Sequence, residues 1–175
     1  GRLEWEKGID RLIDIWLSVH NTHPDWVLDI YGQGMLQDEL QQKIIAANAG
    51  TYIHLKGSSP DIMYEYLNCS LLVLTSRYEG FPMALLEAMG VACGVPCVTY
   101  DCPFGPRSMI TNMRNGILVE EGDKKEMVDK INYLIENEKN RKKIGTNARK
   151  YVLQYSQKNI MDKWNILFNN CLTIT

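Results

Sequence analysis

From residue 7 to residue 23, Ile9, Leu12, Ile13, Trp16, Leu17 and His20 fall at helical spacing, and Pro24 and Asp25 interrupt the run. Side chains three and four apart share one face, so the spacing predicts an amphipathic helix. WVLDIYG (26–32) follows as a short apolar run and predicts a strand. Helical periodicity resumes over MLQDELQQKIIAAN (35–48), and YIHLKG (52–57) predicts a strand closed by glycine. The alternation continues with a short helix over 61–67, a buried strand LLVLTS (71–76), a helix over 82–93 and a strand PCVTY (96–100). Beyond a loop rich in Pro and Gly come a short helix over 106–111, a strand GILVE (116–120), and helices over 123–137, 139–154 and 157–171 that close the domain.

Short, wholly apolar strands separated by helices imply a parallel sheet covered on both faces, because each crossover helix lies against one side. The predicted class is therefore α/β, a doubly wound, Rossmann-like parallel sheet, with residues 1–175 as one domain. Ligands of such sheets sit outside the carboxyl ends of the strands, which directs attention to the loops at 32–34, 57–61, 76–83 and 101–107. A doubly wound domain ordinarily opens on a strand, whereas this sequence opens on GRL and a helix. A strand upstream is expected, and the sequence reads as a fragment of a longer chain.

Composition narrows the function classes. An apolar fraction of 45% with 23% charged residues is that of a globular domain, and no apolar run approaches the ~20 residues of a membrane span. A net charge of -2 gives no reason to expect nucleic acid, and GRLEWEKG lacks the apolar stretch of a signal peptide, so a cytoplasmic location is expected. Cys69, Cys93, Cys97, Cys102 and Cys171 have neither disulfide-framework nor zinc-knuckle spacing and read as reduced thiols, with Cys93, Cys97 and Cys102 as small buried residues. His20 and His23 fall three apart without a third ligand, and no metal site is expected.

The stretch SRYEGFPMALLE (76–87) leaves a buried strand, turns through Glu79 and Gly80 and starts a helix at Pro82. Proline suits the first helical position, glycine permits close approach of a ligand, and the free amides of Met83 and Ala84 would favour an anion such as phosphate. Glu87 lies among Met83, Leu85, Leu86, Ala88 and Met89, where an unpaired carboxylate would cost several kcal/mol. Its partner would be a pair of ribose hydroxyls or, equally, a cation or solvent. Glu79, at the strand exit, is better placed to line a cleft.

EGFPMALLE resembles the E-x7-E motif, ending in Glu79 and Glu87, of the retaining glycosyltransferases of group 1 (family 4), which include sucrose synthases and many polysaccharide-building enzymes. GRLEWEKG is similar to that family's G-R-x4-K-G segment, YGQGMLQDEL to its G-x-G-x-L turn, and ACGVPCV with NGILVEEGD to its closing pattern. The resemblance implies the C-terminal, donor-binding half of a two-domain GT-B enzyme. Arg2 and Lys7 would bind the donor diphosphate, Glu79 the transferred sugar and Glu87 the ribose. Gly80, Phe81, Pro82 and Met83 would supply backbone surface to sugar and phosphates, and the segment 57–60 would border the base. YDCPFGPRSMI, with Gly105 and Pro106 near the sugar, favours a UDP-sugar over a GDP-sugar. No metal or other cofactor is implied. The glycan, polysaccharide or lipid-linked acceptor would come through an N-terminal domain that these residues do not contain, so the fragment alone is expected to be inactive. Without the resemblance, Arg2 and Lys7 read as ordinary solvated charges.

Other readings stay open at this point: a nucleotide-sugar epimerase or hydrolase of the same fold, or a scaffold that kept the fold and lost the site. Residues 139–161 carry seven Lys or Arg and no acidic residue, which reads as a solvated face with peripheral contact to an anionic membrane as the alternative. Tyr151, Tyr155 and Trp164 are expected to pack the closing helices. YGQGM lacks the third glycine of a dinucleotide fingerprint, which argues against an oxidoreductase.

Overall fold

The computed structural model of the chain describes residues 1–90 and 94–172. Cys93 and the end of the helix expected over 82–93 lie outside the described residues. Helices and strands alternate as the hydrophobic pattern predicts. A short 3-10 turn, Trp5–Lys7, leads into α1 (Ile9–His20), followed by β1 (Leu28–Tyr31), α2 (Gln37–Ala46), β2 (Ile53–Gly57) and α3 (Ile62–Asn68). Then come β3 (Leu72–Leu74), α4 (Met83–Gly90), β4 (Cys97–Tyr100), β5 (Ile117–Val119), α5 (Lys124–Glu136), α6 (Glu138–Val152) and α7 (Gln157–Leu172).

All strand pairs are parallel, but the strands form two ladders rather than one continuous sheet: β2 beside β1, and β3, β4, β5 in that order. β4 is buried on both faces, whereas β1 leaves Asp29 exposed and β2 leaves Lys56 exposed. Val98 and Tyr100 of β4 and Ile117 and Val119 of β5 join the core under α1 and α5, while Cys97 joins the core under α4 and α6. Cys97 is fully buried and burial pushes its thiol well above its ordinary range, so it packs as a small apolar residue.

Several boundaries differ from the pattern for local reasons. The first helix starts at Ile9 rather than at 7 because Gly8, at φ 62°, closes the preceding turn in the left-handed region. A Cβ at Gly8 would run into the Thr75 carbonyl, which brings the first loop against the exit of β3. The element expected over 106–111 is a single 3-10 turn, Pro106–Ser108. His20 stacks on Tyr52 and His23 pairs with Glu136, so the two rings face different partners.

Tyr151 and Tyr155 pack at the core under α4, with Phe81 edge-on to Tyr155 at 5.8 Å between centroids. Trp164 does not pack there. It is 48% exposed on α7, where its neighbour is Phe168, because that helix leaves Ile166, Leu167 and Phe168 exposed as well. In the basic stretch, Arg141 bonds the Leu134 and Ile135 carbonyls and Lys142 pairs with Glu138, which ties part of its charge down. Among the described residues no helix is long and apolar enough to cross a membrane.

Candidate functional site

At the carboxyl ends of the strands, the loop 1–8 lies across the exit of β3 and is held there by backbone and side-chain bonds. Thr75 Oγ1 donates to the Gly8 carbonyl at 2.8 Å, and the Arg77 amide donates to the Glu6 carbonyl at 2.8 Å. The Arg77 guanidinium grips Asp10 with two bonds of 2.9 and 2.6 Å, bonds the Trp5 carbonyl and lies over the Trp5 ring at 4.8 Å. Arg11 adds a bond to the Thr75 carbonyl and another to Glu121, in the loop after β5.

This clamp sets Lys7 against Glu79. Lys7 Nζ is 2.8 Å from Glu79 Oε1, and Ser76 Oγ donates to the same oxygen at 2.7 Å. The Glu79 side chain is only 9% exposed, whereas that of Lys7 is 27% exposed. An ammonium has three protons to donate, so Lys7 keeps donors for a second anion while holding Glu79. Both bonds to Glu79 fall on Oε1, which leaves Oε2 as an acceptor for a hydroxyl. Gly105 abuts this carboxylate: a Cβ there would come within 2.7 Å of Glu79 Cβ.

Beyond Glu79 the chain enters α4. Gly80 is exposed, and a Cβ built on it would meet no atom within 4 Å, so the open space there belongs to no other part of the chain. Pro82 is buried, and its carbonyl accepts from the amides of Leu85 and Leu86, which leaves the N–H groups of Met83 and Ala84 at the open helix end. Phe81 and Met83 are exposed beside them. The helix dipole and these amides favour a negative group at this end.

Glu87 lies one helical turn further along α4, half-buried, and none of the ion pairs between described residues involves it. Among the described residues its one side-chain hydrogen bond is from the Tyr66 hydroxyl to Oε2, long at 3.4 Å. Burial first, and the Glu87 charge second, push the Tyr66 phenol well above its ordinary range, so it stays a neutral donor. Arg2 is exposed and forms no bond or ion pair with a described residue. The structure thus joins Lys7, Glu79 and the start of α4, sets Glu87 on the same helix and leaves Arg2 in solvent. Among the described residues no group of three His, Cys, Asp or Glu could hold a metal ion.

The pattern of the sequence did not single out Ser76, Arg77, Asp10, Arg11 or Tyr66. Ser76 carried a signal, a hydroxyl three residues before a carboxylate at a strand exit. Arg77 carried none, since its partner Asp10 is 67 residues away.

The clamp gives a testable acid response. The Arg77 hydrogen bond is the main cause that holds the Asp10 carboxyl below its ordinary value. Lowering pH through that ordinary value protonates Asp10 in the unfolded chain first, so its stabilisation is complete at neutral pH and is lost as pH falls through the depressed folded value. Arg77→Ala should cost about 2 kcal/mol at pH 7, the scale of hydrogen bonds to charged groups. In urea unfolding from pH 7 to pH 3 the difference from the parent chain should shrink toward acid; a difference independent of pH would reject the ion pair as its origin.

The family described as "Glycosyl transferases group 1" matches residues 1–151. The amylovoran biosynthesis glycosyltransferase AmsD of Erwinia amylovora is 33% identical over 169 residues, 97% of this chain and 46% of its own length. A solved S. aureus TarM variant in complex with Fondaparinux, alpha-GlcNAc-glycerol and UDP superposes with a TM-score of 0.90 at 32% identity, over 97% of this chain and 34% of that one. Anabaena Alr3699/HepE in complex with UDP gives 0.83 at 26% identity, over all of this chain and 47% of that one. The chain therefore spans about half, or less, of the length of the relatives it matches, and its fold is the Rossmann-like α/β half of the GT-B architecture.

Proposed function

We propose, from the fact that this chain belongs to the group 1 glycosyl transferases, that it is the donor-binding domain of a retaining enzyme that transfers a hexosyl residue from a UDP-sugar. The carrying observation is the Lys7–Glu79 pair at 2.8 Å beside the open start of α4, at the carboxyl ends of parallel strands. Cleavage of a glycosyl phosphate builds negative charge on the leaving diphosphate. Lys7, Arg2 and the amides of Met83 and Ala84 meet that charge, and they stabilise the transition state more than the ground state because the charge is greatest there. The reaction then needs no metal.

Glu79 positions the transferred sugar through Oε2, with Oε1 held by Lys7 and Ser76. Glu87 accepts the two ribose hydroxyls, and Gly80, Phe81, Pro82 and Met83 line the path between them. Complexes of neighbours with UDP support a uridine nucleotide. The acceptor, a glycan, polysaccharide or lipid-linked sugar, comes from across the cleft through the rest of the enzyme, and this domain alone does not turn over.

Calorimetric titration of the folded chain with UDP, GDP and ADP tests this reading. UDP should bind most tightly; a folded chain that binds none of the three would reject the assignment of the nucleotide to these residues. Turnover of the nucleotide sugar without any acceptor by the longer protein would assign it instead to a hydrolase.

A further inference from the structure

Two exposed aromatic rings stand beside Glu79, and neither the core nor the donor site described above uses them. Tyr78 precedes Glu79 at the exit of β3 and is 52% exposed, and Phe104, in the loop after β4, is 78% exposed. Their centroids are 6.2 Å apart with the ring planes at 65°, an edge-to-face pair. Phe104 holds this position against its own backbone preference. Its φ is 69°, in the left-handed region that suits glycine and that phenylalanine seldom adopts. The loop around it fixes that conformation: Arg107 bonds both carboxylate oxygens of Asp101 at 2.8 and 2.6 Å, and Ser108 Oγ donates to the carbonyl of buried Gly105 at 2.7 Å. Gly105 in turn lies against the donor site, since a Cβ built on it would come 2.7 Å from Glu79 Cβ and 3.4 Å from Pro82 Cδ. A backbone anchored on the sugar-positioning carboxylate therefore presents a large aromatic side chain to solvent. Strain retained where nothing is buried marks a functional contact rather than a packing one.

We propose that Tyr78 and Phe104 form a stacking platform for a pyranose ring of the acceptor, an inference that rests on the donor site proposed above. The order of groups along the chain names the occupant. Ribose at Glu87, diphosphate at the start of α4 and transferred sugar at Glu79 run from the helix back toward β3, and the next residue on that path is Tyr78. A ring lying beyond the transferred sugar is the acceptor's. A pyranose carries its hydroxyls at the rim and presents a face of C–H bonds, apolar and weakly positive, which an electron-rich aromatic face complements. The platform is also uncharged. Arg77 and Arg107, the cations next to it in the chain, are tied to Asp10 and Asp101, which suits a neutral sugar ring rather than a phosphate.

Chemical-shift titration of the folded chain with maltotriose and with chitotriose, beside calorimetric titration with UDP and UDP-glucose, tests the assignment. At least one trisaccharide should move the amides of Tyr78 and Phe104, and Phe104→Gly should weaken that binding by about 5- to 10-fold, the scale of one aromatic contact. Glycine adopts this φ freely, so the variant should melt within about 3 °C of the parent chain. Phe104→Tyr should keep the parent's saccharide affinity, and UDP should bind parent and variants alike. Unmoved amides with both trisaccharides at about 50 mM, or equal saccharide affinity in Phe104→Gly, would overturn the platform. A loss confined to UDP-glucose would also overturn it, because the ring on Phe104 would then be the donor's. A chain that binds a trisaccharide through Phe104 but no nucleotide would keep the platform and reject the donor reading, so the two fail separately.

Discussion

Lys7→Met should weaken UDP binding by about 10- to 100-fold, the effect of losing one charge-assisted bond to phosphate. The same substitution leaves the nearly buried Glu79 carboxylate with Ser76 as its remaining partner, at 2.7 Å. Removing one member of a buried pair costs about 3–5 kcal/mol, and the partial exposure of Lys7 lowers that here to about 2 kcal/mol. Stability and binding separate in the double variant. Lys7→Met with Glu79→Gln should regain most of the stability, since a neutral amide still accepts from Ser76, and should not regain UDP. Urea unfolding beside calorimetric titration reads both quantities. Native affinity in Lys7→Met would remove Lys7 from the diphosphate site and leave it a structural partner of Glu79.

Glu87→Ala is expected to lower the affinity for UDP by a similar factor while leaving stability within about 1 kcal/mol, because its contact with Tyr66 is long and it forms no ion pair with a described residue. The ligand supplies the decisive control. If the carboxylate takes the ribose hydroxyls, then 2′-deoxy-UDP should bind the parent chain about as weakly as UDP binds the variant. Variant and deoxy-ligand together should lose no more than either alone, as a shared interaction requires. Additive losses would place Glu87 elsewhere than on the ribose.

The strands of the second ladder were legible because they are short apolar runs: CVTY and ILV read as strands from composition alone, and both sit in the core. The start of α4 was legible for a local reason, since proline followed by a helical apolar run specifies the turn and the open amides within six residues, Gly80–Leu85. The pairing of Lys7 with Glu79 was not, because it joins positions 72 apart and depends on how the first loop lies over β3. The resemblance brought both residues to one ligand but did not say that they hold each other. Arg2 illustrates the opposite case, a cation assigned by pattern whose side chain meets only solvent here. Trp164 misled because helical spacing of large apolar residues predicts a buried face, and nothing in spacing tells whether a neighbour exists to bury it.

The grip of Arg77 on Asp10, Trp5 and the first loop has a thermodynamic consequence for timing. The entropy of fixing Lys7 is lost when the chain folds, so a diphosphate arriving later meets an ordered cation and its binding entropy carries no loop-ordering penalty. The same linkage ties the loop to the β3 exit: a fluctuation that lifts the first loop off β3 breaks the Arg77 bonds to Trp5 and Glu6 together with the Lys7–Glu79 pair, and uncovers Glu79.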